Sequence, residues 1–165
     1  MRVLESSTVA IAAVLALYGG SYSHAAQPVI EEVVVRGELR AAELTTVPAS
    51  ISVISAQTIA RRHAQHLENL LGIVPNVNFA AGASRGRYLQ IRGIGETGQF
   101  IEPLNSAVGI IIDHVDFSGI GAVTTLYGAD QVEIFRGPQG TLYGANALAG
   151  LIDISTAQPA DVRRR

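Results

Sequence analysis

Apolar and polar residues alternate over four short stretches of the chain, and a period of two residues is typical of β-strands. The stretches are residues 50–54, 88–93, 131–134 and 151–154. In the third, Val132 and Ile134 alternate with Gln131 and Glu133, which predicts one apolar and one polar face. Residues 109–113 form an apolar run that ends in an acid, which predicts a central strand buried on both faces.

Two short helices are predicted between the first two strands. Ser55 suits the N-cap of a helix from residue 56 to about residue 62. The second helix is indicated by leucines with i, i+3, i+4 spacing, at Leu67, Leu70 and Leu71. Pro75 ends this helix, and an extended segment follows it.

Two histidines lie in this helical region. His63 and His66 are three residues apart, a spacing that can place two imidazoles on one helix face. A metal site would need at least one more ligand, and Glu68 does not share that face. We therefore interpret both histidines as solvated helix residues and predict no metal site.

Turns are predicted on either side of the third strand. Residues 113–116 should reverse the chain, with His114 in a left-handed conformation. After the third strand, Pro138 suits the first central position of a tight turn that Gly140 closes. Positive φ or close backbone approach is expected at four glycines, Gly137, Gly140, Gly144 and Gly150. By pattern alone, this is a hairpin of any β-containing domain.

The N-terminus has the pattern of a secretory signal. Arg2 supplies a positive start, and residues 9–17 are an unbroken apolar run. Nine residues are too few to span a bilayer, which needs about 20. Small residues at positions 23 and 25 predict cleavage after Ala25. The alternative is an N-terminal core helix.

A β-branched segment follows the predicted cleavage site. Val33, Val34 and Val35 come after two acidic residues, and Gly37 stops the run. The pattern fits the first strand of the domain. It also fits a segment that pairs with the exposed sheet edge of another protein.

Composition narrows the classes of function. The chain has 165 residues, 48% of them apolar, a formal charge of −2 and no cysteine. The balanced charge gives no electrostatic case for nucleic acid. Disulfides, thiolate metal sites and cysteine nucleophiles are excluded. Nothing pairs the carboxylates for acid–base catalysis, so we predict a protein that is not an enzyme and needs no cofactor.

One motif favours an alternative function. Gly93, Gly95 and Gly98 form G-x-G-x-x-G, and Asp113 lies twenty residues beyond Gly93, as in a dinucleotide-binding fingerprint. That motif must open a helix, whose N-terminus holds the pyrophosphate. Pro103 interrupts the following segment and leaves too little room for a crossover helix.

A longer string is far more specific. Glu133-Ile-Phe-Arg-Gly-Pro-Gln-Gly-Thr-Leu-Tyr-Gly144, followed by residues 146–154, resembles the plug domain of TonB-dependent outer-membrane receptors. The motif positions are Gly137, Pro138, Gly140, Tyr143 and Gly144. The resemblance extends from Ile30 to Ile154 and includes Ile91-Arg92-Gly93. His114 and Ala149 depart from it, because the family commonly has glycine at both places.

The resemblance implies the domain organisation. We expect an α+β plug with a small mixed β-sheet, short helices and glycine-rich loops. The expected parts are a signal peptide (1–25), a mobile segment with the TonB box (26–47), the plug (48–154) and a polar tail (155–165). A complete receptor continues into a barrel of about 22 strands. We therefore expect this chain to be a plug without its barrel.

The resemblance also implies partners. Glu32, Val33, Val34 and Val35 would form the TonB box and add as a strand to the periplasmic domain of TonB. Arg92 and Arg136 would pair with carboxylates on the barrel wall. Two loops, residues 80–87 and 95–105, would contact a scarce nutrient such as an iron–siderophore complex, a cobalamin or a sugar. The candidate ligand contacts are Ser84, Arg85, Arg87, Glu96 and Gln99.

The resemblance implies export and an outer-membrane location as part of a full receptor. Without a barrel the chain would lie in the periplasm. The remaining alternative is a free-standing periplasmic module that binds a ligand or TonB.

Overall fold

The computed structural model describes residues 33–37, 42–82, 85–97 and 105–159. The strands are β1 (Val34–Val35), β2 (Ala42–Glu43), β3 (Ile51–Ser55), β4 (Val77–Ala81), β5 (Gly86–Ile91), β6 (Ile94–Gly95), β7 (Val108–Ile112), β8 (Val115–Asp116), β9 (Ala129–Arg136) and β10 (Gly150–Thr156). The helices are α1 (Ala56–Arg61), α2 (Glu68–Leu71) and α3 (Gly140–Tyr143), with a 3-10 turn at Gly121–Val123.

A five-stranded mixed sheet forms the centre, in the order β3-β9-β10-β7-β8. β9 is antiparallel to both β3 and β10, whereas β10 runs parallel to β7. β7 is buried at four of its five residues, which confirms the predicted central strand. Two smaller sheets, β1-β2 and β4-β5-β6, complete the architecture. The mixed sheets with few short helices confirm the predicted α+β fold.

One face of the central sheet packs against α1, α2 and the β4-β5 hairpin. Val132 and Ile134 of β9 are fully buried there, together with Ile152 of β10. Leu67, Leu70 and Leu71 reach the same core from α2, as their spacing predicts.

The opposite face is also covered, and here the prediction of a polar face is wrong. Phe135 and Leu151 form a second core with Val35 and Val47 from the N-terminal part of the chain. Glu133 on this face has 0% of its surface exposed. The cover comes from residues far away in sequence, so the alternation of residues 131–134 does not show it.

The region between the helices differs from the prediction. α1 begins after Ser55, but the Ser55 side chain makes no capping hydrogen bond. His63 lies outside both helices with φ 50°, and His66 forms an isolated bridge with Thr125. The two imidazoles therefore do not share a helix face, because the chain leaves α1 before reaching them.

The predicted turns are confirmed in part. Asp113 and His114 have φ of 47° and 68°, so both central residues of the β7–β8 turn are left-handed. Gly150 allows close approach, since an added Cβ would lie 2.3 Å from the carbonyl oxygen of Phe135. The prediction for Gly140 is wrong. This residue has no positive φ and no atom within 4 Å of an added Cβ, and it begins α3 instead of closing a tight turn.

Gly93 and Gly95 lie in a hairpin. Arg92 and Gly93 form the turn, and β6 returns antiparallel to β5. The described part of the motif therefore does not open the helix on which the dinucleotide interpretation depends, and Gly98 lies outside the described residues. None of the helices in the described ranges is long and apolar enough to cross a membrane.

Candidate functional site

Residues 33–37, here called the N-terminal strap, lie on the second face of the central sheet. β1 of the strap pairs with β2, and the Leu44 N–H donates to the Val33 carbonyl at 3.1 Å. Val35 has 0% of its surface exposed and packs in the core with Phe135. Apolar burial therefore anchors the strap at Val35.

The carboxylate of Glu133 holds the main chain of the strap. Its Oε1 accepts the Arg36 N–H at 2.5 Å, and its Oε2 accepts the Gly37 N–H at 2.9 Å. The Gln131 side-chain amide donates to Glu133 Oε1 at 2.6 Å and to the Val34 carbonyl at 2.7 Å. Hydrogen bonds to an ionised acceptor are about twice as strong as neutral ones. β2 bonds one edge of the strap. On the other edge, the side chains of Gln131 and Glu133 bond the main chain where a second strand would otherwise do so.

Gly37 lets the strap approach the sheet closely. A Cβ at this position would lie 2.8 Å from a ring carbon of Phe135 and 3.0 Å from Glu133 Oε2. The Tyr143 hydroxyl donates to the Gly37 carbonyl, so the plug motif also contacts the strap. The Arg36–Asp130 ion pair spans 2.7 Å, but both side chains are more than a third exposed. Such a surface pair contributes little.

A second buried acid lies next to Glu133 on the neighbouring strand. Asp153 of β10 is the register partner of Glu133 and only 3% exposed. Burial, followed by the charge of Glu133, raises the pKa of Asp153 to about 6, although His114 acts in the opposite direction. The sheet therefore carries two buried acids side by side on neighbouring strands.

The predicted TonB box lies largely in the strap. Glu32 is outside the described residues, Val33 is exposed and Val34 is half-buried. Val35 is buried, as is Val47 in the same core. The parts of segment 26–47 that the structure describes are therefore docked on the sheet instead of free, because their valines bury apolar surface.

The two predicted barrel-contact arginines differ in environment. Arg92 follows β5 with φ 55° and is exposed. Arg136 ends β9 and is half-buried; its Nη1 reaches the Pro75 carbonyl at 3.4 Å, and its buried Nε has no partner. Neither arginine forms an ion pair among the described residues. Arg136 is therefore the stronger candidate for a partner outside this part of the chain.

The structure places three of the five candidate ligand contacts. Arg85 is exposed and bonds to His66 Nδ1 at 3.0 Å, and Arg87 is exposed on β5. Glu96 accepts the Ala107 N–H at 2.8 Å, so its carboxylate already supports the backbone. Ser84 and Gln99 lie outside the described residues.

The plug motif connects β9 to β10. Gly137 and Gly144 have φ of 152° and 79°, which confirms their predicted positive φ. Pro138 and Gly140 are exposed, and Tyr143 is half-buried against the strap. β10 continues to Thr156, so the strand runs two residues into the predicted polar tail.

The sequence analysis missed the group beneath the strap. Gln131 and Glu133 were expected on a polar face, and Asp153 was not singled out. Phe135 was the available signal, because it shares the face of Glu133 and is too large and apolar to be left in water. Among the described residues, no group of three or more acids and histidines could hold a metal ion.

The family model for the TonB-dependent receptor plug domain matches residues 43–151. The chain is 32% identical over 161 residues to a vitamin B12 transporter of Vibrio vulnificus, covering 93% of this chain and 25% of the relative. It is 31% identical over 116 residues to the pesticin receptor of Yersinia enterocolitica, covering 70% of this chain and 17% of that receptor.

Solved structures agree with these relatives. The ferric yersiniabactin uptake receptor of Yersinia pestis matches with a TM-score of 0.60 and 28% identity, over 69% of this chain and 18% of that one. The ferric-catecholate import receptor of E. coli matches with a TM-score of 0.57 and 29% identity, over 73% and 16% of the two chains. The chain thus spans a quarter or less of the relatives it matches, and it belongs to the TonB-dependent receptor plug domain family.

Proposed function

We propose that this chain is the plug of a TonB-dependent outer-membrane receptor that takes up a scarce nutrient, such as an iron–siderophore complex. The observation that carries the proposal is the match of the plug family to residues 43–151, directly after a β-branched segment suited to strand pairing. In this function the plug fills the lumen of the barrel, and residues 32–35 bind the periplasmic domain of TonB.

The nutrient class is supported by the relatives. Their names include a vitamin B12 transporter and receptors for ferric yersiniabactin and ferric catecholates. In this chain the ligand would contact residues 80–87 and 95–105, among them Arg85, Arg87, Ser84 and Gln99. Glu96 is the weakest of the proposed contacts, since its carboxylate is engaged with Ala107.

TonB binding tests the proposal at Val34. Val34→Pro removes a backbone donor from the segment that would add to the TonB sheet, whereas Val34→Thr keeps the donor and the β-branched side chain. We expect Val34→Pro to weaken binding of the TonB periplasmic domain by about tenfold or more, measured by isothermal titration calorimetry with the full chain. Val34→Thr should bind like the wild type. Equal affinity for all three chains would remove residues 32–35 from the TonB interface.

Arg136 tests the proposed contact with the barrel. Because its Nε is buried without a partner in this part of the chain, Arg136→Met should leave the stability of the isolated chain unchanged or raise it by about 1 kcal/mol. The exposed Arg92→Met is the control and should change stability by less than about 0.5 kcal/mol. Urea unfolding measures both. A clear loss for Arg136→Met would assign the guanidinium an internal structural role and withdraw support from the barrel contact.

A further inference from the structure

Docking occupies both edges of the strap. Along one edge β1 pairs with β2, in the register Val34 with Glu43 and Val35 with Ala42. On the other side the Val34 carbonyl accepts the Gln131 amide. A segment that adds as a strand to another sheet needs a free edge of N–H and C=O groups. In the docked strap, β2 occupies one edge and the Gln131 amide occupies the Val34 carbonyl on the other edge.

Glu133 is the centre of the docking contacts. Its two carboxylate oxygens accept the N–H groups of Arg36 and Gly37, the two residues that follow β1. The carboxylate is completely buried, so these bonds are made away from competing water. Removing an acceptor from a buried pair leaves the donors unsatisfied, which costs more than the bond itself contributes.

We propose that Glu133 is a positioning residue: by holding the main chain at Arg36 and Gly37, it keeps Val34 and Val35 in a form with which TonB cannot pair. The inference rests on the proposed role of residues 32–35 in TonB binding. TonB then binds only the undocked fraction of the chain, and its apparent affinity is lowered in proportion.

Gly37 supports the inference from the side of the strap. A Cβ at Gly37 would lie 2.8 Å from the buried ring of Phe135 and 3.0 Å from the Glu133 carboxylate, so the strap or these side chains must shift to accommodate it. Gly37→Ala should therefore lift the strap without changing the central sheet. Residues 32–35, which would contact TonB, are the same in this variant.

The experiment compares Glu133→Gln, Gly37→Ala and the double variant in the full chain. In Glu133→Gln the amide nitrogen must face one of the two strap N–H groups, donor to donor. We expect each single variant to bind the TonB periplasmic domain about tenfold to a hundredfold more tightly than the wild type. The double variant should gain little beyond the better single variant, because both changes release the same contact.

A second measurement separates release of the strap from general loosening. Hydrogen exchange at the Arg36 and Gly37 amides should accelerate in both variants, while the amides of β7 and β10 keep their protection. Ile152→Val is the matched control, because it weakens the sheet from the opposite face and leaves Glu133 in place. It should leave both TonB affinity and exchange at Arg36 unchanged.

Three results would overturn the inference. Unchanged TonB affinity in both variants, with Val34→Pro still weakening binding, would refute the role of Glu133 alone. An equal affinity gain in Ile152→Val would assign the effect to general destabilisation. Failure of every variant to bind TonB, with the strap amides exchanging faster as expected, would overturn the proposed TonB site and the inference that rests on it.

Discussion

Asp153→Asn is expected to stabilise the chain at pH 7.5 by about 2–3 kcal/mol, because the pKa of Asp153 is raised to about 6 in the folded state. Asp153 is buried opposite Glu133, and burial and that neighbouring charge raise its pKa to about 6. An unfolded aspartate titrates near 3.9, so the folded state binds this proton more tightly. Above pH 6 the folded chain must hold a second charge on the buried face. Asparagine occupies nearly the same volume without that charge.

The pH dependence has a definite sign. Between about pH 4 and pH 6 the folded state binds more protons than the unfolded chain at Asp153, so its contribution to stability falls as the pH rises through this window. Besides burial, the charged groups that act on the pKa of Asp153 are Glu133 and Asp113, which raise it, and His114, which lowers it. Urea unfolding at pH 5 and pH 7.5 should show that acidification favours the wild type over Asp153→Asn.

Asp130→Asn is the control for the loss of an acid. Asp130 pairs with Arg36 at the surface, where the ion pair contributes little. It should not reproduce the gain at pH 7.5. If Asp153→Asn gains nothing, or if its advantage is the same at both pH values, the buried acid pair is not a source of instability.

Gly150→Ala is expected to destabilise the chain by about 3 kcal/mol or more. The new methyl group would lie 2.3 Å from the Phe135 carbonyl oxygen and 2.7 Å from Ile91 Cδ1. A backbone carbonyl within the β9–β10 ladder cannot rotate away as a flexible side chain could. The two central strands must therefore separate at this end, which also disturbs the packing of Phe135.

Gly140→Ala is the matched control within the same connection. It lies in α3 with no atom within 4 Å of an added Cβ. Alanine should be neutral there, or stabilising by up to about 1 kcal/mol, because it favours helical backbone. Thermal unfolding of the two variants tests the difference. Similar melting temperatures would show that the β9–β10 pair accommodates the methyl group by a small shift.

Local sequence patterns predicted the structure correctly where residues close together in the chain determine it. The alternation at Val132 and Ile134 marks a true core face, and the apolar run before Asp113 is a buried strand. The leucine spacing of α2 identifies its buried side. Short-range geometry decides these features, and the sequence displays it directly.

Contacts between distant residues were not predictable in the same way. The strap packs over Glu133, and the alternation of residues 131–134 does not contain that information. The plug resemblance supplied the family and candidate arginines, but not the partner of Tyr143. The docked strap also required Gly37, which the sequence analysis interpreted only as the end of a β-branched run.

The pairing of an early strand with a late one affects how the chain folds during its synthesis. β3 is an edge strand whose sheet neighbour is β9, and the contact between Arg36 and Glu133 joins positions 97 residues apart. A ribosome therefore completes β3 long before β9 exists. Closing such long loops is entropically costly and makes folding slow. β3 consequently waits without its sheet neighbour until β9 has been made, whereas β1 and β2 can pair with each other early. During this period β3 is an extended, unpaired segment that a holding chaperone could bind.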